Sequence, residues 1–208
     1  KNSTTFFPKT AVFLPKNTTT PEKISSASRS FSGHGSWNES ELMKILFNAA
    51  FNTRLKVGIA IYIRRLIPEL ARLCNLTILT PDPELFSPYG KTICIPEFVR
   101  FNLQRTIWTL TRLNRYCTKE YDILLCPTPV VPIFPCLPII AVVHDLIPFK
   151  MRPYLPQKEK LSFWLGFQSL RFARRVITVS ESTRRDLIKM KILPPERISV
   201  ARNGPGIT

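Results

Sequence analysis

With 208 residues and 44% apolar side chains, the chain has room for one α/β domain with a sizeable core, and a second complete domain does not fit beside it. Its formal net charge of +16 favours an anionic partner, which leaves nucleic acid, acidic lipid and phosphorylated substrates open. Five scattered cysteines, with no Cys-x-x-Cys pair and only two histidines, argue against a metal site, so we expect reduced thiols buried in the core.

Residues 1–40 come first and are rich in Ser, Thr, Lys and Pro, with only Glu22 and Glu39 as acidic residues. The apolar residues there follow no periodicity that would give a helix or strand a buried face, so we predict a disordered tail. Such a basic segment is also typical of an organelle-targeting peptide, and a plain tail or a translated stretch outside the true gene is the alternative. No apolar run in the chain reaches the roughly 18 residues of a spanning helix. We therefore expect a cytoplasmic protein, with peripheral attachment to the inner face of a membrane left open.

From Lys44 onward, short apolar runs alternate with helical patterns. Continuous apolar character suits parallel strands that are covered on both faces. The alternation predicts a Rossmann-like, doubly wound α/β domain over residues 41–204, with a mostly parallel sheet and helices on both faces. Pro68 lies inside the first helix and predicts a kink or an early end. The predicted strands are 45–47, 76–79, 92–95, 122–125, 139–143, 176–179 and 198–200, and the predicted helices are 58–73, 101–119, 158–174 and 181–190.

The helix predicted over 101–119 has two chemically different sides at about 100° per residue. One stripe is basic and includes a tryptophan, and the opposite side is apolar and should face the sheet. Basic residues near an acidic bilayer contribute about 1 kcal/mol each, so we predict that the stripe contacts an anionic membrane surface. A solvated charged face whose tryptophan packs on a neighbouring loop is the alternative. The stripe contains Arg105, Trp108, Arg112, Arg115 and Lys119, and the apolar side contains Leu103, Ile107, Leu110 and Cys117.

Polar residues at the carboxyl ends of three predicted strands form the candidate site, because ligands of open α/β sheets bind at that edge. Gly58 opens the first helix, where backbone N–H groups can meet a phosphate, or it only permits a tight turn. His144 and Asp145 end the fifth strand, and His144 can move a proton, bind a sugar hydroxyl or serve the structure alone. Ser180 and Glu181 follow the sixth strand, where either side chain can cap the next helix.

Several sequence stretches, taken in order, resemble the retaining glycosyltransferases of family four, which have the GT-B fold. The resemblance covers about residues 44–204. The stretch 58–66 looks like the family's Gly-rich loop and helix, with Ala60 where a second Gly is usual. The strongest stretches are VVHDLIP at 142–148, ARRVITVSESTRRDLI at 173–188, and PPERI at 194–198 followed by Asn203 and Gly204.

The resemblance implies two Rossmann-like domains that face each other across a cleft, the first binding the acceptor and the second the nucleotide-sugar. It implies that His144 touches the transferred sugar and is not a metal ligand, and that Gly58 faces the donor. We extend the prediction of donor or acceptor binding to Asp145, Ser180 and Glu181. No metal and no cofactor is expected, because the nucleotide-sugar is a substrate.

The end of the resemblance predicts an interdomain hinge. Asn203 and Gly204 look like the family's crossing into the second domain, and residues 205–208 are predicted to start the linker. Pro205 and Gly206 depart from the apolar residue and Asp that are usual there. We expect the donor-binding C-terminal domain to be missing from this chain, as a fragment or as a decayed gene product.

The expected function is therefore transfer of a sugar from a nucleotide-sugar to a sugar, polysaccharide or lipid-linked acceptor, once a C-terminal donor domain completes the enzyme. The resemblance implies retention of configuration, and we expect the fragment alone to be inactive. Two alternatives stay open. One is a basic α/β module that binds nucleic acid, which the net charge of +16 motivates, although the chain has no recognisable nucleic-acid motif. The other is an inactive truncated fragment.

Overall fold

The computed structural model describes residues 42–51, 53–55, 58–150 and 154–204. Residues Leu42–Arg202 form one compact unit. The predicted disordered tail over 1–40 and the predicted linker over 205–208 lie outside the described residues. Within those described ranges, no helix is long and apolar enough to cross a membrane.

In the described part of the chain, seven parallel strands form one sheet: β1 (Lys44–Asn48), β2 (Asn75–Thr80), β3 (Lys91–Cys94), β4 (Ile123–Cys126), β5 (Ile139–Val143), β6 (Arg175–Thr178) and β7 (Ile198–Val200). Each strand predicted from an apolar run is confirmed, with ends that shift by no more than one residue. The order across the sheet is β3-β2-β1-β4-β5-β6-β7. Strands are added in one direction from β1 to β3 and in the opposite direction from β4 to β7. This is therefore a doubly wound, Rossmann-like sheet with its switch point between β1 and β4.

Helices connect the strands: α1 (Gly58–Ala71), α2 (Pro83–Phe86), α3 (Asn102–Thr111), α4 (Ile147–Lys150), α5 (Gln157–Ser169) and α6 (Glu181–Lys189). Connections between parallel strands are right-handed, so the direction in which the next strand is added determines the face on which the connecting helix lies. The helices α1 and α2, which lead from β1 to β3, therefore lie on one face, and α3, α5 and α6, which lead in the opposite direction, lie on the other. On the second face, α3 and α5 pack together through buried hydroxyl groups, with Thr106 Oγ1 2.8 Å from Ser162 Oγ.

Several predicted helix boundaries are wrong. The helix predicted over 158–174 ends at Ser169, and a 3-10 turn follows at Leu170–Phe172. Of the kink or early end predicted at Pro68, the early end is wrong and the kink stays a prediction. The first helix continues to Ala71, because Ile67 and Leu70 are buried and their packing holds the last turn. The helix predicted over 101–119 ends at Thr111, and a short 3-10 turn follows at Leu113–Tyr116. In that turn the side-chain amide of Asn114 donates to the carbonyls of Ile133 and Phe134, a tertiary contact that helical periodicity does not reveal.

The orientation predicted for α3 is wrong in part, since Leu110 is buried as predicted but Trp108 and Ile107 are reversed. Trp108 is only 5% exposed and packs near Tyr116, with ring centroids 5.9 Å apart, whereas Ile107 on the predicted apolar side is 49% exposed. Arg105 points inward over the ring of Phe51, as described below. The predicted basic stripe is therefore not a continuous exposed face, because Arg105 and Trp108 are turned inward. Of the four predicted membrane-contact residues only Arg112 and Arg115 are exposed, and membrane contact stays a prediction.

The prediction that all five cysteines are buried is wrong for two of them. All five thiols are free, and Cys74, Cys117 and Cys126 are buried. Cys94 ends the outer strand β3 and is exposed, and Cys136 is exposed in the long connection between β4 and β5. Edge strands and long connections leave one side of an apolar run uncovered, so the apolar pattern alone does not guarantee burial.

Candidate functional site

His144 follows the last residue of β5, at the carboxyl edge of the sheet and one strand away from the switch point at β1 and β4. All five residues of β5 are buried, so the strand is a rigid support for the side chain that comes after it. Open α/β sheets bind ligands outside this edge, next to the switch point. The fold therefore places His144 where a substrate is expected.

The His144 ring is held in one orientation and in one protonation state. Its Nε2 lies 3.2 Å from the carbonyl oxygen of Pro127, which can only accept, so Nε2 carries the proton. The ring of Tyr62 from α1 packs edge-on against it, with centroids 4.6 Å apart. Burial lowers the pKa of His144 below 6.5, although the Pro127 carbonyl and the Asp145 charge act in the opposite direction. The neutral ring then has Nδ1 as a hydrogen-bond acceptor.

The amino terminus of α6 is tied to the same place. Ser180 is the N-cap of α6, as the sequence allowed, and its Oγ accepts from the backbone N–H of Thr183 at 3.1 Å. The Thr183 hydroxyl lies 2.9 Å from Ser180 Oγ and donates to the carbonyl oxygen of His144 at 3.2 Å. These bonds fix the backbone of His144 against the helix. Glu181 is exposed, with its carboxylate 3.9 Å from Arg184.

Gly58 is the first residue of α1 and is exposed. A Cβ atom built there meets nothing within 4 Å, so neither packing nor a tight turn requires a glycine at this position. Tyr62, which contacts His144, lies one helical turn further along the same helix. Asp145 is exposed, and its Oδ1 accepts from the backbone N–H of Ile147 at 3.0 Å, which caps the short helix α4.

The structure thus brings α1, His144 and the amino terminus of α6 together through Tyr62 and Thr183. Asn203 and Gly204 follow β7 in irregular backbone, outside the compact unit that ends at Arg202. Within the described ranges, no group of three His, Cys, Asp or Glu side chains lies close enough to hold a metal ion.

Sequence reasoning missed a buried carboxylate at the same edge of the sheet. Asp82 follows β2 and is 2% exposed. Its carboxylate accepts from Thr53 Oγ1 at 2.8 Å, from Arg54 Nε at 2.6 Å and from both terminal nitrogens of Arg100 at 2.9 and 3.0 Å. Burial raises its pKa, but these donors, Arg100 first, outweigh burial and hold the pKa below its ordinary value. Asp82 could have been found from its position after the end of a strand, because the same kind of position singled out His144.

Arg105 is the other residue that the sequence misplaced. Its guanidinium carbon lies 4.6 Å from the ring centroid of Phe51, which follows β1, and one terminal nitrogen donates to Asn102 Oδ1 at 2.6 Å. The Nε of Arg105 is buried and has no hydrogen-bond partner among the residues that the structure describes. Burial lowers the pKa of Arg105 to about 10, and the charge of Glu159 partly offsets this, so the side chain stays cationic at neutral pH.

Comparison with known proteins gives one family and no close curated relative. No curated protein matches the chain. The sequence profile of Glycosyltransferase Family 4 matches residues 57–205, well over half of the 208 residues, and this range includes Gly58, His144, Ser180 and Asn203. With a Rossmann-like sheet that is consistent with one half of a GT-B glycosyltransferase, the chain belongs to Glycosyltransferase Family 4.

Proposed function

We propose that the chain is the acceptor-side domain of a retaining enzyme that transfers a sugar from a nucleotide-sugar to a sugar, polysaccharide or lipid-linked acceptor. A C-terminal domain that binds the nucleotide-sugar completes this enzyme. The observation that supports the proposal most directly is the neutral, oriented His144 at the carboxyl edge of β5, inside the range that matches the family.

His144 has the properties of a group that holds a sugar hydroxyl. A neutral imidazole with Nε2 bonded to a carbonyl offers Nδ1 as an acceptor, and a hydroxyl is its natural donor. Tyr62 and the Thr183 bond limit the movement of this residue, so the hydrogen bond to the sugar would cost little ordering of the side chain. The proposed role is positioning of the transferred sugar, with no proton transfer required.

Gly58 supports the donor half of the proposal. The open space around its Cα lets another molecule approach the backbone at the start of α1, and the free N–H groups of a helix amino terminus attract anionic groups. We propose that this end of α1 faces the nucleotide-sugar. The proposal includes no metal and no cofactor.

The test is the His144→Ala substitution in an enzyme that contains both domains. Loss of a positioned polar group at the reacting centre typically lowers the rate on the order of 100-fold, so we expect kcat to fall by about that factor. Glu84→Ala, which removes an exposed charge on α2, is the matched control and should leave kcat unchanged. An unchanged rate for a folded His144→Ala enzyme would reduce His144 to a structural residue.

The 208-residue chain tested alone should show no transfer from a nucleotide-sugar, because the proposed donor-binding residues belong to the second domain. Turnover that disappears in His144→Ala would contradict the assignment of this chain to one half of the enzyme. Salt-sensitive binding of duplex DNA by the two-domain protein, with no affinity for nucleotide-sugars, would favour the alternative of a nucleic-acid module instead.

A further inference from the structure

Two arginines contact one short segment that follows β1, and two more bind a carboxylate that contacts the same segment. Arg105 lies over the ring of Phe51, and Arg64 from α1 donates to the carbonyl oxygens of Thr53 and Leu55. The hydroxyl of Thr53 donates to Asp82, and that carboxylate also binds Arg54 and Arg100. These four arginines are called the arginine cluster. They lie on the segment after β1 (Arg54), on α1 (Arg64), on the 3-10 turn Glu97–Arg100 (Arg100) and on α3 (Arg105).

The carboxylates around the cluster neutralise it incompletely. Asp82 is shared between two arginines, and the exposed Glu97 lies 3.6 Å from Arg100. Among the described residues, no carboxylate lies within salt-bridge distance of Arg64 or Arg105. The charge of Glu159 acts on Arg105 from beyond salt-bridge distance, and the Glu159 carboxylate accepts from the amide of Asn102.

Arg105 has an unused donor in a place where such a donor is costly. Its Nε–H is buried and unpaired within the described part of the chain, and buried donors of folded proteins nearly always have a partner. A charged donor left unpaired costs more than a neutral one. Phe51 covers one face of the guanidinium and Asn102 holds one edge, so the planar group is already oriented. An oriented guanidinium with one unpaired N–H is suited to a carboxylate or phosphate oxygen.

The position of the cluster indicates which molecule would supply that anion. β1 borders the switch point, and the segment after it lies at the carboxyl edge, where open α/β sheets bind their ligands. This half of the enzyme is the proposed acceptor side. A guanidinium that is held there before the substrate arrives would select acceptors by charge.

We propose that the acceptor carries an anionic group, a phosphate or a carboxylate, and that Arg105 binds it, with Arg54, Arg64 and Arg100 supplying the surrounding positive charge. This inference rests on the proposed function and adds the chemical class of the acceptor. Arg105 is then a binding residue, and the membrane contact predicted for it from the sequence is replaced.

The direct test observes the Nε–H signal of Arg105 by nitrogen-15 NMR in the wild-type chain, so it does not depend on a variant that folds. The signal is identified as the one that Arg105→Lys removes. We expect it to shift on titration with glucose 6-phosphate or with glucuronate, which separates a phosphate from a carboxylate source. Glucose should leave it in place. A signal that moves with neither anion, or that moves only with UDP, would overturn the proposal.

Binding of the same probes to variants gives the second readout. Arg105→Met keeps the cover over Phe51 and removes the charge, and it should weaken binding of the anionic sugar by about tenfold or more, as expected for a charge-assisted hydrogen bond. Arg112→Met is the matched control, because Arg112 is an exposed arginine at the end of the same helix and should leave the affinity unchanged. Equal weakening by both variants would reduce the effect to net charge and overturn the proposal.

Failure of this inference and failure of the proposed function have different signatures in the two-domain enzyme. If transfer depends on His144 but proceeds equally well with a neutral acceptor in the Arg105→Met enzyme, the inference of an anionic acceptor is wrong and the proposed function stands. Transfer that requires an anionic acceptor and is lost in Arg105→Met through a raised KM for that acceptor would support it.

Discussion

The ion pairs around Asp82 allow a graded prediction of stability. The carboxylate of Asp82 is 1% exposed and accepts four hydrogen bonds from three side chains. Arg100 is 17% exposed and makes two of those bonds, whereas Arg54 is 72% exposed and makes one. The two arginines therefore bind the same carboxylate from environments of different polarity.

Removal of one partner from a buried ion pair typically costs about 3–5 kcal/mol, because the remaining charge is left uncompensated. We expect Asp82→Asn and Arg100→Met to lower the free energy of unfolding by about that amount. An exposed pair is screened by water and contributes at most about 1 kcal/mol, so Arg54→Met should cost no more than that. Urea unfolding followed by circular dichroism measures all three values.

The same pair predicts the sign of an acid effect. The folded state holds the pKa of Asp82 below 3.8, its ordinary value, so its stabilising contribution is present above about pH 3.8 and is lost as pH falls through the folded-state pKa. Asp82→Asn should remove this part of the acid sensitivity. A cost below about 1 kcal/mol for Arg100→Met, or equal costs for Arg54→Met and Arg100→Met, would refute the reasoning that burial determines the strength of these pairs.

Other predictions concern the candidate site. Burial lowers the pKa of His144 below 6.5, so the unfolded chain binds a proton that the folded chain does not, and the free energy of unfolding should fall as pH decreases from about 7.5 to 5.5. His144→Gln should reduce that fall in urea titrations, and an unchanged slope would contradict it. Gly58→Ala should leave the thermal midpoint unchanged while lowering transfer. Gly90→Ala should cost about 2 kcal/mol or more, because φ is +154° and a Cβ would lie 2.4 Å from the Leu76 carbonyl oxygen. Ser180→Ala removes the N-cap of α6 and should cost about 1 kcal/mol, measured by thermal unfolding.

The strands were predictable because a parallel strand covered on both faces carries a local signature. Each of the runs around Phe47, Ile78, Leu124 and Val142 is short and mostly apolar, and each became a buried strand. The strand-end rule also singled out His144 and Ser180, and it would have found Asp82 if applied to the second strand.

The orientation of α3 shows where local patterns stop being informative. Periodicity places Arg105 and Trp108 on one stripe, and an arginine-rich stripe is usually the solvated face. In the fold this helix packs against α5 on one flank and approaches the segment after β1 on another, so its inward arc includes both residues. A helix that touches several neighbours buries a wide arc, and only the arrangement of those neighbours determines which residues fall within it.

By itself, the sequence determined the seven strands, the α/β class and the polar residues that end the strands, because each depends on burial and hydrogen bonding within a short stretch of chain. Tertiary structure alone decided which of those strand ends meet. It joined Tyr62 and Thr183 to His144, paired Asp82 with arginines far along the chain, and turned Arg105 inward. Contacts between elements distant in sequence depend on the strand order and on how the helices cover the sheet, and no local periodicity contains that information.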